Sequence, residues 1–200
     1  MAKLKPHPPP LPASTSLDLR PLIVEVDQPL FRIHQTVNDP VFFGRTTNYR
    51  FDAPAKEFGV LYVGRTERGA FIETLGQDTG VRLLDWAELA KRSLSTLRAN
   101  RPLRVVDLTG RGLPRLGADA RLHACEHHVA QSWSRAIHDH PEQPDGILYR
   151  ARHDPDQICV AIYDRAANAV TVASHLGSLD DSNLSARVSS LLDYYDFGIA

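Results

Sequence analysis

The sequence predicts one α+β domain built on a mixed sheet. Its 200 residues are the size of a single ordinary domain. With 42% hydrophobic and 24% charged residues, the composition is that of a globular chain and not of a disordered one. Strand-like and helix-like segments alternate without the regular period of a doubly wound parallel sheet, and no internal repeat is visible. These observations together favour the α+β class.

The N-terminal segment is predicted to stand outside this domain. Residues 1–17 are rich in proline and are expected to form an extended, poorly ordered lead-in, whereas residues 18–200 form the domain. The prolines disfavour the apolar helix of a secretory signal, and no run approaches the roughly 18 apolar residues of a membrane span. Two isolated cysteines, Cys125 and Cys159, are typical of buried thiols in a reducing compartment. We therefore expect a cytoplasmic protein without a membrane partner.

The first half is predicted to contain strands, a short helix and one long irregular segment. Apolar runs predict strands over residues 23–33, interrupted by a turn at 27–29, and over 58–63. An apolar stripe predicts a helix over 68–75 that leaves Glu73 to one side. Residues 36–55 are polar, with Pro and Gly, and are long enough to build a site.

The second half is predicted to alternate longer helices with short strands. The helical period favours helices over residues 84–97, 119–137 and 184–194, and Asp119 is the expected N-cap of the second of these. Short apolar runs between turn residues predict strands over 104–108, 146–149, 158–163 and 170–173.

Charge and motifs exclude several functions. With 23 Lys plus Arg against 24 Asp plus Glu, the net charge of -1 gives no excess for direct nucleic-acid binding. The glycine-rich fingerprints of dinucleotide folds and P-loops and the nucleophile elbow of serine hydrolases are missing from the sequence. His123 and His127 share a face of the predicted helix, but no third metal ligand accompanies them, so no metal is expected.

Four polar residues in the first half stand beside apolar neighbours. They are Arg32, Arg50, Tyr62 and Glu73. Taken singly, each is compatible with an ordinary surface role, such as an ion pair or a solvated hydroxyl. Taken together, they are candidates for one site.

The motifs around these residues resemble the RES domain family. They are Tyr-Arg-Phe-Asp-Ala-Pro at 49–54, Gly-Val-Leu-Tyr at 59–62 and Gly-Ala-Phe-Ile-Glu-Thr-Leu at 69–75. Arg32 stands where that family has its first arginine. Segments 102–108, 145–150 and 159–163 are similar to its later strands, so the resemblance extends over residues 30–172.

The resemblance implies a fold, an activity and a partner. RES domains are toxins of bacterial toxin–antitoxin pairs with a fold similar to ADP-ribosyltransferases. They cleave the nicotinamide–ribose bond of NAD, which makes them NAD phosphorylases or NAD glycohydrolases according to whether phosphate or water accepts the ADP-ribose. NAD is then the substrate, with phosphate as a co-substrate, and no cofactor is implied. The implied partner is an Xre-type antitoxin that covers the active site, and a homodimer is a family-level expectation.

The resemblance also implies roles for single residues. Glu73 stabilises the oxocarbenium-like ribose, Arg32 and Arg50 bind the pyrophosphate, and Tyr62 stacks on the nicotinamide. Ala151 occupies the place of a common family serine. Arg152 is a candidate to contact an acceptor phosphate instead, and the alternative is a solvent-facing residue at the strand end. Two alternatives stay open. One is mono-ADP-ribosylation of a macromolecule, and the other is an inactive module that binds NAD or a partner, which Ala151 favours.

Overall fold

The computed structural model describes residues 17–27, 29–78 and 80–200. The predicted lead-in, apart from Leu17, lies outside the described residues. Leu17 is partly buried against the core, and Leu19 is fully buried within it.

The domain is α+β and contains a large mixed sheet, as predicted. Eight strands lie in the order β1-β6-β7-β8-β3-β2-β5-β9, and within the described residues β6 and β7 are its one parallel pair. Two short parallel strands, β4 and β10, form a second sheet. The strands are β1 (Ile23–Val26), β2 (Leu30–Gln35), β3 (Val60–Gly64), β4 (Leu83–Leu84), β5 (Arg92–Ala99), β6 (Leu103–Asp107), β7 (Gly146–Arg150), β8 (Ile158–Tyr163), β9 (Val170–Ser178) and β10 (Gly198–Ile199).

The large sheet opens between β2 and β3. These strands pair only where Phe31 meets Gly64, whereas β2 follows β5 along its whole length. Gly44 instead forms a bridge with Val60 at the other end of β3. The irregular segment 36–55 therefore runs beside the opening.

The helices cover the sheet with apolar faces. They are α1 (Glu67–Thr74), α2 (Trp86–Ala90), α3 (Gly112–Arg115), α4 (His127–His138) and α5 (Ser185–Tyr194). α1 packs on β2 and β3, and α5 packs on α1. α4 packs Val129, Trp133 and Ile137 into the core that alternate residues of β7 and β8 line. No helix among the described residues is long and apolar enough to cross a membrane.

The predicted helix over 84–97 is wrong. Residues 86–90 form the short α2, and 92–99 form β5, which pairs with β2 on one side and β9 on the other. Ser93, Ser95 and Thr96 are poor helix formers, and two partner strands satisfy the backbone of this segment. Pairing with distant strands therefore outweighs the helical period.

The predicted helix over 119–137 is interrupted. Asp119 caps a single 3₁₀ turn at 120–123, and α4 begins only at His127, after an extended Glu126. The guanidinium of Arg50 donates a hydrogen bond to the carbonyl oxygen of Cys125, which a continuous helix would use internally. The remaining strand predictions and the last helix are confirmed, although β9 continues to Ser178.

Candidate active site

Glu73 lies near the end of α1, the helix that follows β3. Thr66 caps this helix, because its hydroxyl oxygen accepts a hydrogen bond from the backbone N–H of Gly69 at 2.9 Å. Gly64 allows the chain to enter the helix tightly, since a Cβ at this position would lie 2.7 Å from the carbonyl oxygen of Thr66. Phe71 is buried and anchors the helix, which leaves Glu73 half-buried at its margin.

The carboxylate of Glu73 accepts two hydrogen bonds from the end of β7. The hydroxyl of Tyr149 donates to Oε2 at 3.0 Å, and the backbone N–H of Arg152 donates to Oε1 at 3.2 Å. Burial raises the pKa of Glu73, while the two hydrogen bonds and the charge of Arg50 oppose that rise. The group is therefore a partly desolvated carboxylate with both oxygens held in place, an arrangement suited to stabilising a nearby cationic centre.

Arg50 brings a cation to the same place. Its Nη1 donates a hydrogen bond to the carbonyl oxygen of Cys125 at 2.6 Å. Burial lowers the pKa of Arg50, and the charges of Arg152 and Glu73 also act on it. No salt bridge of the described residues includes Arg50. The site thus contains a half-buried guanidinium near the carboxylate but not paired with it.

A buried carboxylate organises the loop that presents this arginine. Asp52 is 1% exposed and accepts hydrogen bonds from the hydroxyl of Thr46, from the backbone N–H of Tyr49 at 3.1 Å, and from the hydroxyl of Tyr62 at 3.0 Å. The same tyrosine oxygen accepts a hydrogen bond from the backbone N–H of Phe51 at 3.0 Å. Tyr62 therefore connects β3 to the loop through its hydroxyl.

Comparison with known proteins places the chain in a family. The family model of the RES domain matches residues 29–182. The chain belongs to the RES domain family. The protein named "Probable toxin y4kH" from Sinorhizobium fredii (strain NBRC 101917 / NGR234) is 34% identical to this RES domain over 115 residues, 56% of this chain and 87% of the relative.

A solved structure shares the fold of this RES domain. A chain in the crystal structure of the M. tuberculosis MbcT-MbcA toxin-antitoxin complex superimposes with a TM-score of 0.66, over 86% of this chain and 92% of that one. The two chains are 14% identical, so the match concerns the fold alone.

Arg32 of the RES domain binds the irregular segment that follows β2. Along β2 it alternates with Ile33, which packs with Phe71 of α1, so the side chain of Arg32 leaves the opposite side of the strand. Its Nη1 donates to the carbonyl oxygens of Pro40 at 2.6 Å and Phe42 at 3.2 Å, and burial lowers its pKa to about 10. No hydrogen bond or salt bridge of the described residues joins it to Arg50, Tyr62 or Glu73. Its contact with pyrophosphate stays a prediction.

The ring of Tyr62 packs against the hydrophobic core. It is half-buried and lies 5.6 Å from the ring of Tyr49, at an interplanar angle of 55°. Tyr49 is 52% exposed, so the RES domain presents two neighbouring aromatic rings in this region. Stacking of Tyr62 on nicotinamide stays a prediction.

Arg152 places a positive charge on the β7–β8 loop, next to Glu73. Arg152 is exposed, and its charge lowers the pKa of His127 and His153, in both of which burial is the larger cause. Ala151 is buried and offers no hydroxyl group. The role of Arg152 toward an acceptor stays a prediction.

Sequence reasoning did not single out Tyr149 and Asp52. Both stood within the motifs that resemble the RES domain, Tyr149 as the end of an apolar strand and Asp52 two residues after Arg50. A polar side chain inside an apolar run is a signal that it has a buried partner. The identity of that partner depends on contacts between distant segments.

The histidine pair does not share a helix face in the structure. His123 lies in the 3₁₀ turn, buried, with Nε2 3.1 Å from the carbonyl oxygen of Leu108, whereas His127 begins α4 and is exposed. Among the described residues, no group of three or more His, Cys, Asp or Glu side chains is placed to hold a metal ion.

A surface cleft of about 600 Å³ lies elsewhere, beside the start of β6 and β7. Its charges largely pair with one another, since Arg101 binds Asp145 and Arg104 binds Glu142. The cleft therefore offers little unpaired charge to a ligand.

Proposed function

We propose that this RES domain cleaves the nicotinamide–ribose bond of NAD and passes the ADP-ribose to phosphate or water. The observation that carries the proposal is the partly desolvated carboxylate of Glu73, fixed by Tyr149 and the N–H of Arg152. The guanidinium of Arg50 lies nearby and forms no salt bridge within the part of the chain that the structure describes.

The chemistry needs a carboxylate of this kind. When the bond between the nicotinamide nitrogen and ribose C1 breaks, its electron pair leaves with the nicotinamide and positive charge grows on the ribose. Glu73 stabilises that charge as it develops, and a desolvated carboxylate does so more strongly than one in water. Nicotinamide leaves as a neutral molecule, so the step needs no general acid.

Substrate binding needs positive charge that is not already neutralised. A guanidinium matches the oxygens of a pyrophosphate with paired N–H donors, and Arg50 has the burial and the location for that task. Arg32 binds the carbonyl oxygens of residues 40 and 42 and so supports the segment beside the sheet opening. We assign stacking on a planar base to Tyr62, whose ring neighbours the exposed ring of Tyr49.

We assign the binding site of the ADP-ribose acceptor to the exposed side of Glu73. Arg152 gives this side a positive charge, which favours an anionic acceptor such as phosphate; burial and nearby arginines lower the pKa of His127 and His153 and so favour their neutral forms. The buried Ala151 supplies no hydroxyl to bind it. We therefore assign phosphate binding to Arg152.

We also infer a biological role from the relatives. One is named a toxin, and the structure with the same fold comes from a toxin-antitoxin complex. By this analogy the chain is the toxin of such a pair, and an antitoxin protein, of Xre type by family resemblance, binds it.

The test is the fate of NAD. Purified protein is incubated with NAD in phosphate buffer and in phosphate-free buffer, and nicotinamide, ADP-ribose and its 1''-phosphate are separated by chromatography. We expect nicotinamide release, with the phosphorylated product in phosphate buffer only. No turnover in either buffer contradicts the proposal.

Labelled NAD distinguishes the two alternatives. Label transferred to macromolecules of a lysate would show mono-ADP-ribosylation instead of transfer to a small acceptor. Calorimetry that detects bound but intact NAD would show a binding module.

A further inference from the structure

Tyr195 connects the end of the chain to the candidate site. It follows α5 and lies outside residues 29–182, which match the RES domain. Its ring stacks on Phe71 of α1, with centroids 5.7 Å apart and planes within 4°. Its hydroxyl donates a hydrogen bond of 2.7 Å to Oδ2 of Asp154, and the carbonyl oxygen of Arg68 lies farther away at 3.5 Å.

Asp154 in turn shapes the loop between β7 and β8. Its Oδ1 accepts a hydrogen bond of 3.1 Å from the backbone N–H of Asp156. Its carbonyl oxygen accepts a hydrogen bond of 3.0 Å from the backbone N–H of Gln157. Two residues before it, the N–H of Arg152 donates to Glu73. Asp154 therefore holds the turn from which one of the two donors to Glu73 projects.

The same loop is attached to the start of α1. The side-chain oxygen of Gln157 accepts a hydrogen bond of 2.6 Å from the hydroxyl of Thr66, the N-cap residue. The loop thus contacts α1 at its N-terminus through Gln157 and near its C-terminus through Glu73. Tyr195 links the loop to α1 a third time, because its hydroxyl binds Asp154 and its ring packs on Phe71 of α1.

We propose that Tyr195 is a positioning residue, which holds the 151–157 loop against α1 so that the N–H of Arg152 stays on the carboxylate of Glu73. Its catalytic consequence rests on the proposed NAD cleavage, whereas its structural consequence does not. The hydroxyl matters because Arg152, Pro155 and Asp156 are exposed, so few apolar contacts hold the tip of the loop.

The test compares Tyr195→Phe with Tyr194→Phe. Tyr195→Phe keeps the ring on Phe71 and removes only the hydroxyl. Tyr194 is 48% exposed, and its hydroxyl has no hydrogen-bond partner among the described residues. The guanidinium of Arg68 lies over its ring, and a phenylalanine ring can keep this cation–π contact. Thermal unfolding checks that both variants are folded.

The first readout does not depend on activity. Amide hydrogen exchange, measured by NMR, reports the protection of the Arg152 N–H. We expect Tyr195→Phe to accelerate this exchange about tenfold, since a hydrogen bond to a charged group is lost from the loop, and Tyr194→Phe to leave it unchanged. Equal protection in the wild type and Tyr195→Phe overturns the proposal.

The second readout is the kinetics of NAD cleavage. We expect Tyr195→Phe to lower kcat about tenfold with KM for NAD changed less than about twofold, because one of two donors to Glu73 is loosened. Asp154→Ala should lower kcat at least as much as Tyr195→Phe, because it also removes the acceptor for the N–H of Asp156, and the double variant should lose no more than Asp154→Ala alone. Additive losses would show that Tyr195 does not act through Asp154. If the wild type does not cleave NAD, the proposed function fails, and the exchange experiment still decides the role of Tyr195.

Discussion

Glu73 is the residue on which the proposed chemistry depends. Its neutral isostere in Glu73→Gln keeps hydrogen-bonding capacity toward Tyr149 but cannot stabilise a growing positive charge. We expect the variant to fold and to lose activity by roughly 100-fold or more, the scale of one preorganised electrostatic group. Nicotinamide release under saturating NAD measures the loss.

The matched control for this change lies on the same helix. Glu67 begins α1 and pairs with Arg187 of α5, at 2.6 Å, away from the carboxylate of Glu73. Glu67→Gln should retain the activity of the wild type. Activity of Glu73→Gln equal to that of Glu67→Gln would remove Glu73 from the mechanism.

The hydroxyl of Tyr149 favours the ionised form of Glu73. Burial raises the pKa of this carboxyl, and the hydroxyl of Tyr149 opposes that rise. Tyr149→Phe removes one of the hydrogen bonds that lower the pKa of Glu73, so this pKa should rise further. Because the active form is the carboxylate, we expect the acid limb of kcat/KM to move to higher pH. A limb at the wild-type pH would contradict this role.

At the scale of elements, the sequence predicts a helix or strand well when neighbouring residues stabilise it, and poorly when contacts with distant segments do. β6, β7 and β8 were predictable because each is a short, mostly apolar run between turn residues, and β7 and β8 are buried on both faces. The start of α4 and the strand β5 were not predictable, because the hydrogen bond from Arg50 to Cys125 and the pairing of β5 with β2 and β9 join distant segments.

The candidate site shows the same division. Arg50 and Glu73 stood out because their motifs resemble a known family, and the structure brings them near each other. The donors to Glu73 were not predictable, since one is a backbone N–H that any residue supplies and the other is a tyrosine at the end of a buried strand. Arg32 and Ile33 leave β2 on opposite sides because side chains alternate along a strand, but the sequence around them does not say which side faces α1.

The loop that presents Arg50 behaves as one unit around Asp52. Asp52→Ala removes the acceptor for Thr46, for the N–H of Tyr49 and for Tyr62 together. We expect KM for NAD to rise about tenfold or more, with a smaller change in kcat, because Arg50 is assigned to binding and Glu73 to the chemical step. Thr46→Val removes only one of the three bonds and should have a smaller effect. Loss of kcat alone in Asp52→Ala would assign the loop to the chemical step.

At the scale of the whole molecule, the pKa of Asp145 affects the stability of the fold in acid, and the pKa of Glu73 affects activity in acid. Burial opposes ionisation of Asp145, but hydrogen bonds from Arg101 and from the backbone N–H of Arg104 outweigh it and lower the pKa of Asp145. Its folded-state pKa is below the value of about 3.9 in an unfolded chain, so it stabilises the fold above that pH, and this contribution is lost as the pH falls through the folded-state pKa. The pKa of Glu73 is shifted in the opposite direction.

Activity should therefore fail at a higher pH than the fold. On acidification, we expect nicotinamide release to decline while the near-UV circular dichroism of the folded protein is unchanged, and unfolding to follow only at lower pH. Asp145→Asn removes the ionisable group that ties β7 to β6, so it should move the acid unfolding transition to higher pH and leave the acid limb of activity where it is. Coincident loss of activity and structure in the wild type would show that the acid limit of activity reports unfolding and not the protonation of Glu73.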